Sequence, residues 1–226
     1  APITTFTERN KRVNSVYGTA TLSYANKIFL DVTGRNDWSS TLPSGNNSFF
    51  YPSVSTSFIL SDLLRLPEQI SFAKLRASWA QVGNDTAPYK TAKYYNTSAF
   101  PGSASVSPTL YNARFKPEIS NSIEVGLDWR MFKQRFGLDL AFYNNITRNQ
   151  ILDVPMDQTT GYTKATMNSG KVRNRGIELQ LDGTPVKTKN FTWNSTFTWA
   201  KNYNKVLSLA AGLTDGQTIA YTGGTN

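Results

Sequence analysis

The segment Ser122–Arg130, SIEVGLDWR, places Ile123, Val125, Leu127 and Trp129 on one side of an extended chain. Glu124, Gly126, Asp128 and Arg130 fall on the other. Side chains of a strand point alternately to opposite faces. One face of this strand therefore seeks an apolar medium, and the other holds ionised groups. The pattern recurs in eight windows along the chain, which restricts the fold to antiparallel β-structure with one apolar face. Two architectures satisfy it. A soluble sheet buries the apolar face in a core; a transmembrane barrel turns it to lipid and keeps its charges in a wet lumen.

The expected strands are Val13–Tyr24, Lys27–Arg35, Phe49–Leu60, Ser71–Val82, Ile119–Arg130, Arg135–Arg148, Lys171–Thr184 and Phe191–Asn202. Ten charged residues fall on the polar faces of these windows: Asp31, Arg35, Lys74, Arg76, Glu124, Asp128, Arg130, Asp139, Glu178 and Asp182. None is expected on the apolar faces. The dipeptide Ala25-Asn26 reads as a tight hairpin turn, because Asn tolerates the left-handed conformation. The closing AYTGGTN reads as a loop.

Composition removes several functions. The 226 residues contain no Cys and no His, and hydrophobic residues make up 39%. Disulfides, thiolate chemistry, a Ser-His-Asp triad and the commonest metal ligand are absent. No convergent carboxylate or Ser constellation is visible, so neither an enzyme nor a cofactor is expected. No apolar run reaches the ~20 residues of a membrane helix, a test that barrel strands never meet. The net charge is +9, yet the basic residues are scattered without a five-residue run, and no nucleic-acid partner is expected.

The links differ in length by parity. Those after odd strands are Ala25-Asn26, Ser61–Ile70, Met131–Gln134 and Pro185–Asn190. Those after even strands are Asn36–Ser48, Gly83–Glu118, Asn149–Gly170 and Asn204 onward. The even links are expected to be longer in every adjacent comparison. Outer-membrane barrels sort their connections this way, with short periplasmic turns and long extracellular loops. Tyr24, Trp129, Phe136 and Phe191 at the link ends suit an aromatic girdle, or equally packing on neighbouring turns. Eight strands with two unpaired edges cannot close in lipid. The chain is therefore expected to be a segment of a larger barrel, opening in mid-protein.

Five ordered stretches carry a family resemblance: GRNDWSSTLP (Gly34–Pro43), FFYPSVSTSF (Phe49–Phe58), KLRASWAQVGND (Lys74–Asp85), FKPEISNSIEVGLDW (Phe115–Trp129) and NSGKVRNRGIELQL (Asn168–Leu181). They resemble the SusC/RagA family of TonB-linked outer-membrane transporters of Bacteroidetes. The resemblance implies that residues 1–226 form part of a 22-stranded barrel domain, without its plug domain and terminal strands. It implies a SusD-like surface lipoprotein as a lid, and TonB acting through an N-terminal region absent here. It also implies a glycan or peptide substrate, and contact with outer-membrane lipid and lipopolysaccharide. Two other readings stay open: a transporter-like structural subunit of a larger outer-membrane complex, and a soluble β-sandwich binding module.

On this reading the ten polar-face charges line the lumen, either as a salt-bridge lattice or as substrate contacts. Tyr89, Tyr94, Tyr95, Phe100 and Tyr111 sit in a long outer loop, where Tyr stacks on sugars, packs a lid or packs the loop on itself. Asn36-Asp37-Trp38 is expected to cap a strand-to-loop turn, with Trp38 at the interface. Arg173 and Arg175 are read as solvated rim charges, or as contacts to lipopolysaccharide or to the lid.

Overall fold

The computed structural model describes residues 8–97, 100 and 102–209. The terminal AYTGGTN lies outside the described residues. Thirteen strands occur in chain order: β1 (Val13–Tyr24), β2 (Ile28–Ser39), β3 (Ser48–Ile59), β4 (Ile70–Asn84), β5 (Tyr95–Thr97), β6 (Ala104–Val106), β7 (Thr109–Leu110), β8 (Glu118–Met131), β9 (Phe136–Arg148), β10 (Ile151–Pro155), β11 (Lys164–Asn168), β12 (Lys171–Lys187) and β13 (Thr192–Ser208). A one-turn helix, α1 (Leu60–Leu63), follows β3.

Eight strands form one antiparallel sheet in the order β1-β2-β3-β4-β8-β9-β12-β13. Every neighbour follows its partner in sequence or across one loop excursion, so the sheet is a meander. The turns between strands show why the chain reverses. Ala25 (φ 51°) and Asn26 (φ 55°) adopt the paired positive φ of a type I′ turn. Phe132, Lys133 and Gln134 turn β8 into β9 with φ of 53°, 55° and 64°. Pro185 sits inside the register shift between Gly183 and Val186, where its missing N–H removes no ladder bond.

Register aligns the alternating pattern across the whole sheet. One row reads Tyr24, Ile28, Phe58, Leu75, Leu127, Leu140, Leu179 and Trp199 from β1 to β13. A row of the opposite parity reads Thr21, Asp31, Ser55, Ser78, Glu124, Tyr143, Gly176 and Asn202. A one-residue slip would put Leu into the polar row on every strand, so the pattern itself specifies the pairing.

The apolar face has no protein core against it. Ile123 is 49% exposed, Ile177 43% and Leu140 38%. The chain exposes 16039 Å², whereas a soluble protein of this mass exposes roughly 10,000 Å². The buried hydrophobic cluster lies elsewhere, at the long-loop end, and consists of Leu42, Phe49 and Phe115 with Tyr51 and Ile151 packed against it.

The apolar zone crosses the ladder diagonally. In β1 it extends from Tyr24 up to Val16; in β13 the corresponding row is held by Trp199, and Lys201 follows on the same face. The upper boundary thus falls by eight residues across the sheet, which is roughly 27 Å at ~3.4 Å per residue. A level apolar slab crossed by strands ~4.8 Å apart and tilted by about 35–45° requires a fall of ~24–34 Å over seven spacings. The face is therefore level with an external plane, not with the ladder. A sandwich core imposes no such plane.

Register corrects three sequence expectations. Arg173, Arg175 and Lys201 share the face of Ile177 and Trp199, so the apolar face is not free of charge. The β2–β3 hairpin runs further than its window, because Asn36 pairs with Phe50 and its amide donates to Ser48 Oγ at 3.0 Å. Its loop shrinks to residues 40–47, shorter than the 60–69 link after β3, and the parity rule fails at that one comparison. Asp37 lies inside β2 and caps no turn; it accepts from Arg35 and from Tyr51 Oη at 2.6 Å.

Candidate functional site

The polar face carries the ten predicted charges, and register brings several together. Arg76 on β4 reaches across β8 to Asp139 on β9. Its two terminal nitrogens donate to the two carboxylate oxygens at 2.8 and 3.2 Å. Glu124 stands 3.8 Å from Arg76 Nε on the other side. The reach is possible because Arg76 pairs with Gly126, whose missing side chain leaves the guanidinium room to lie flat on β8. Arg130 pairs with Asp128 two residues back at 3.0 Å, and Lys74 is the ladder partner of Asp128. These are planar charge-assisted bonds, which fix geometry more than they add stability at partly exposed sites.

The remaining predicted charges bind hydroxyls and amides. Asp31 accepts from Thr21 at 2.7 Å and Ser55 at 3.4 Å. Asp182 accepts from Thr196 at 2.9 Å and Gln180 at 3.0 Å. Arg35 joins Asp37, Ser15 and the ring of Tyr51. Glu178 lines an open cleft of about 270 Å³ with Arg76, Asp139, Gln180 and Thr198. Among the described residues, no three His, Cys, Asp or Glu side chains group as a metal site.

The two long links at the opposite end of the strands are structured rather than loose. β10, β11 and β7 form a three-stranded sheet in which β7 runs parallel to β11, and β5 pairs with β6. The sheet welds the 85–117 excursion to the 149–170 excursion. Thr163 N donates to Pro108 O at 2.9 Å; Lys116 N donates to Asn168 Oδ1 and Asn168 Nδ2 donates to Lys116 O, both at 2.8 Å. Lys93 sits over the Tyr162 ring at 5.5 Å. Phe115, 0% exposed, is the plug of the hydrophobic cluster beneath this platform. Sequence reasoning missed Phe115, Lys93 and Tyr162. The first stood in a quoted motif, at the step from the loop into β8.

The five predicted loop aromatics do not form one group. Tyr89 and Tyr94 meet edge-on at 6.1 Å, and Tyr89 Oη accepts from Asn10 N at 3.3 Å. Tyr95 and Phe100 are strongly exposed, and Tyr111 is half-buried. Asp85 ties the rim together. Burial works against its charge, but hydrogen bonds from Lys11 and Ser39 outweigh this and hold its carboxyl below the ordinary aspartate range. Asp153 on β10 is similar: burial opposes its charge, while Lys164 at 2.7 Å and Thr166 at 2.6 Å lower it.

A family model described as "TonB dependent receptor-like, beta-barrel" matches residues 1–224. TonB-dependent receptor P26 of Formosa agariphila is 33% identical over 207 residues, covering 88% of this chain and 21% of the relative. TonB-dependent receptor SusC of Bacteroides thetaiotaomicron is 25% identical over 230 residues, covering 92% and 22%. The chain thus spans about a fifth of the length of these relatives. The structure of the RagAB peptide transporter superposes with a TM-score of 0.83 at 23% identity, over 90% of this chain and 23% of that one. The siderophore receptor PirA from Pseudomonas aeruginosa gives 0.58 at 17% identity, over 87% and 35%. These likenesses carry the fold.

Proposed function

The chain belongs to the TonB-dependent receptor β-barrel family, and on that premise we propose that it forms wall and rim of an outer-membrane importer of glycans or peptides. The observation that carries this reading is the unbroken apolar row from Tyr24 to Trp199 with a charged and hydroxylic row behind it. Lipid takes the first face and an aqueous lumen the second. Residues 1–226 are then part of one barrel domain, and further strands pair with β1 and β13.

Within that barrel the polar-face charges serve as a lattice. Arg76 clamps β4 to β9 over β8, and the Asp31 and Asp182 groups cross-link their neighbours through hydroxyls. A braced wall keeps its shape while an internal plug moves. The welded loop platform, with Tyr95 and Phe100 exposed, is the recognition surface for substrate and for a SusD-like lipoprotein lid. TonB acts on a region outside this chain. The tying of the two long loops by β7 and β11 supports a rigid outer rim against which such a lid closes.

The test is accumulation of labelled oligopeptides and labelled glycans by cells bearing the full-length protein. Uptake of one class that stops when the inner-membrane proton gradient is collapsed supports the reading. Uptake of neither class, or uptake indifferent to the gradient, overturns it.

A further inference from the structure

The upper margin of the apolar face on the last three strands carries a cluster of cations. Arg148 on β9 stands directly opposite Lys171 on β12, and Arg173 stands directly opposite Lys205 on β13. Arg175 lies between them in parity, its guanidinium 5.3 Å over the Tyr203 ring, and Lys201 sits one row below. Among the described strands of the main sheet, no Asp or Glu shares this face; every carboxylate of those strands has the opposite parity. The charge of the sheet is therefore sorted: carboxylates and their partners on the polar face, unpaired cations on the apolar one.

Two like-charge pairs directly opposite each other weaken an antiparallel ladder. A protein tolerates them where an anion sits between. Arg173 Nε is buried and finds no hydrogen-bond partner in the chain, so the guanidinium has an unused donor. The position selects the anion. These residues begin where the diagonal apolar zone ends, at the long-loop end of the strands. That is the headgroup level of the outer leaflet if the importer reading holds, and the present inference rests on that reading.

We infer that Arg173, Arg175, Lys201 and Lys205 form a binding site for the phosphate groups of a phosphorylated glycolipid in the outer leaflet. The acyl chains of such a lipid lie on Ile177, Leu179 and Trp199 directly below. The guanidinium groups supply forked donors to phosphate oxygens, and the lysines supply point charges at the sides. Tyr203 supports Arg175 from behind and keeps its plane fixed.

The experiment uses the full-length protein in nanodiscs, with phosphorylated lipid A, enzymatically dephosphorylated lipid A and phosphatidylethanolamine as probes, read by native mass spectrometry. The wild-type protein should retain phosphorylated lipid A about tenfold or more over the dephosphorylated form. The combined variant Arg173→Gln, Arg175→Gln, Lys201→Gln, Lys205→Gln should lose that preference and keep heat-modifiable migration. Equal retention of the two lipids by the wild type overturns the site, and needs no variant. An unchanged preference in the folded variant overturns it as well, as does binding of a lid lipoprotein, but not of lipid, that depends on the four cations. Energised uptake, measured separately, decides the importer reading without reference to these lipids.

Discussion

Arg76 lies directly over Gly126: a Cβ there would overlap Arg76 Nε and stand 2.5 Å from Cζ. The missing side chain of β8 is what allows β4 and β9, which share no ladder bonds, to be joined by a bidentate ion pair. Gly126→Ala should lift the guanidinium off the strand and break its bonds to Asp139. Because the pair is partly exposed, the cost is about 0–1 kcal/mol. A double-mutant cycle checks it: the cost of Gly126→Ala should largely vanish on an Asp139→Asn background.

Gly176 is tighter. A Cβ would stand 2.5 Å from Tyr143 Oη and 2.7 Å from the Lys201 carbonyl oxygen, and the latter is backbone that cannot swing away. Gly176→Ala should force β12 from β13 and cost roughly 1–3 kcal/mol. Urea midpoints of the full-length protein in detergent, with Gly18→Ala as a control in open space, read this out.

Substitutions on the two faces should differ in kind. Leu127→Arg or Leu140→Arg places a cation in the middle apolar row and should cost about 2–4 kcal/mol. Ser78→Arg or Thr198→Arg on the polar row should cost far less. The assembled fraction in outer-membrane preparations, followed by heat-modifiable migration, separates the two sets.

Phe115 anchors the long excursion between β4 and β8 to the rim. Phe115→Ala removes a fully buried ring and should cost roughly 3–5 kcal/mol locally. Hydrogen exchange should rise in residues 104–117 and 151–168 while β8 and β9 remain protected.

The Lys11–Asp85–Ser39 clasp should be acid-labile. The folded-state pKa of Asp85 is depressed, so its contribution is fully present above the ordinary value of 3.8 and is lost as pH falls through the lower folded value. Protease sensitivity of the segment near Lys11 should rise on acidification below pH ~4, and Asp85→Asn should abolish the transition.

Most of the sheet was legible because a period of two with one charged face leaves few choices. β1 has the bounds that alternation alone assigned, Val13–Tyr24. β2 ran past its window, since Asn36 and Asp37 looked like turn formers and are held in the strand by Ser48, Arg35 and Tyr51. The three-stranded loop sheet was invisible: β7 has two residues, and its pairing with β11 joins segments far apart in sequence. Residue types marked the charged candidates, but not their partners. Arg76 and Asp139 are 63 positions apart and meet only through register. The cations at Arg173 and Lys201 escaped notice because parity was judged near the apolar centre of each strand. The tilt that brings them to the margin is a property of the whole sheet.

The central claim is that hydrocarbon touches one face and water the other. Because the chain contains no Cys, single-Cys spin labels within it give clean accessibilities. Oxygen, which partitions into lipid, and a water-soluble nickel chelate should be compared at Leu127, Leu140 and Leu179, at Glu124, Asp139 and Gln180, and at Ala20 and Tyr203. The account predicts high oxygen and low nickel access at the three leucines, the reverse at the three polar positions, and lipid exposure of Ala20 while Tyr203, in the same ladder row, sits at the interface. Low access to both reagents at the leucines, as in a sealed protein core, would contradict it.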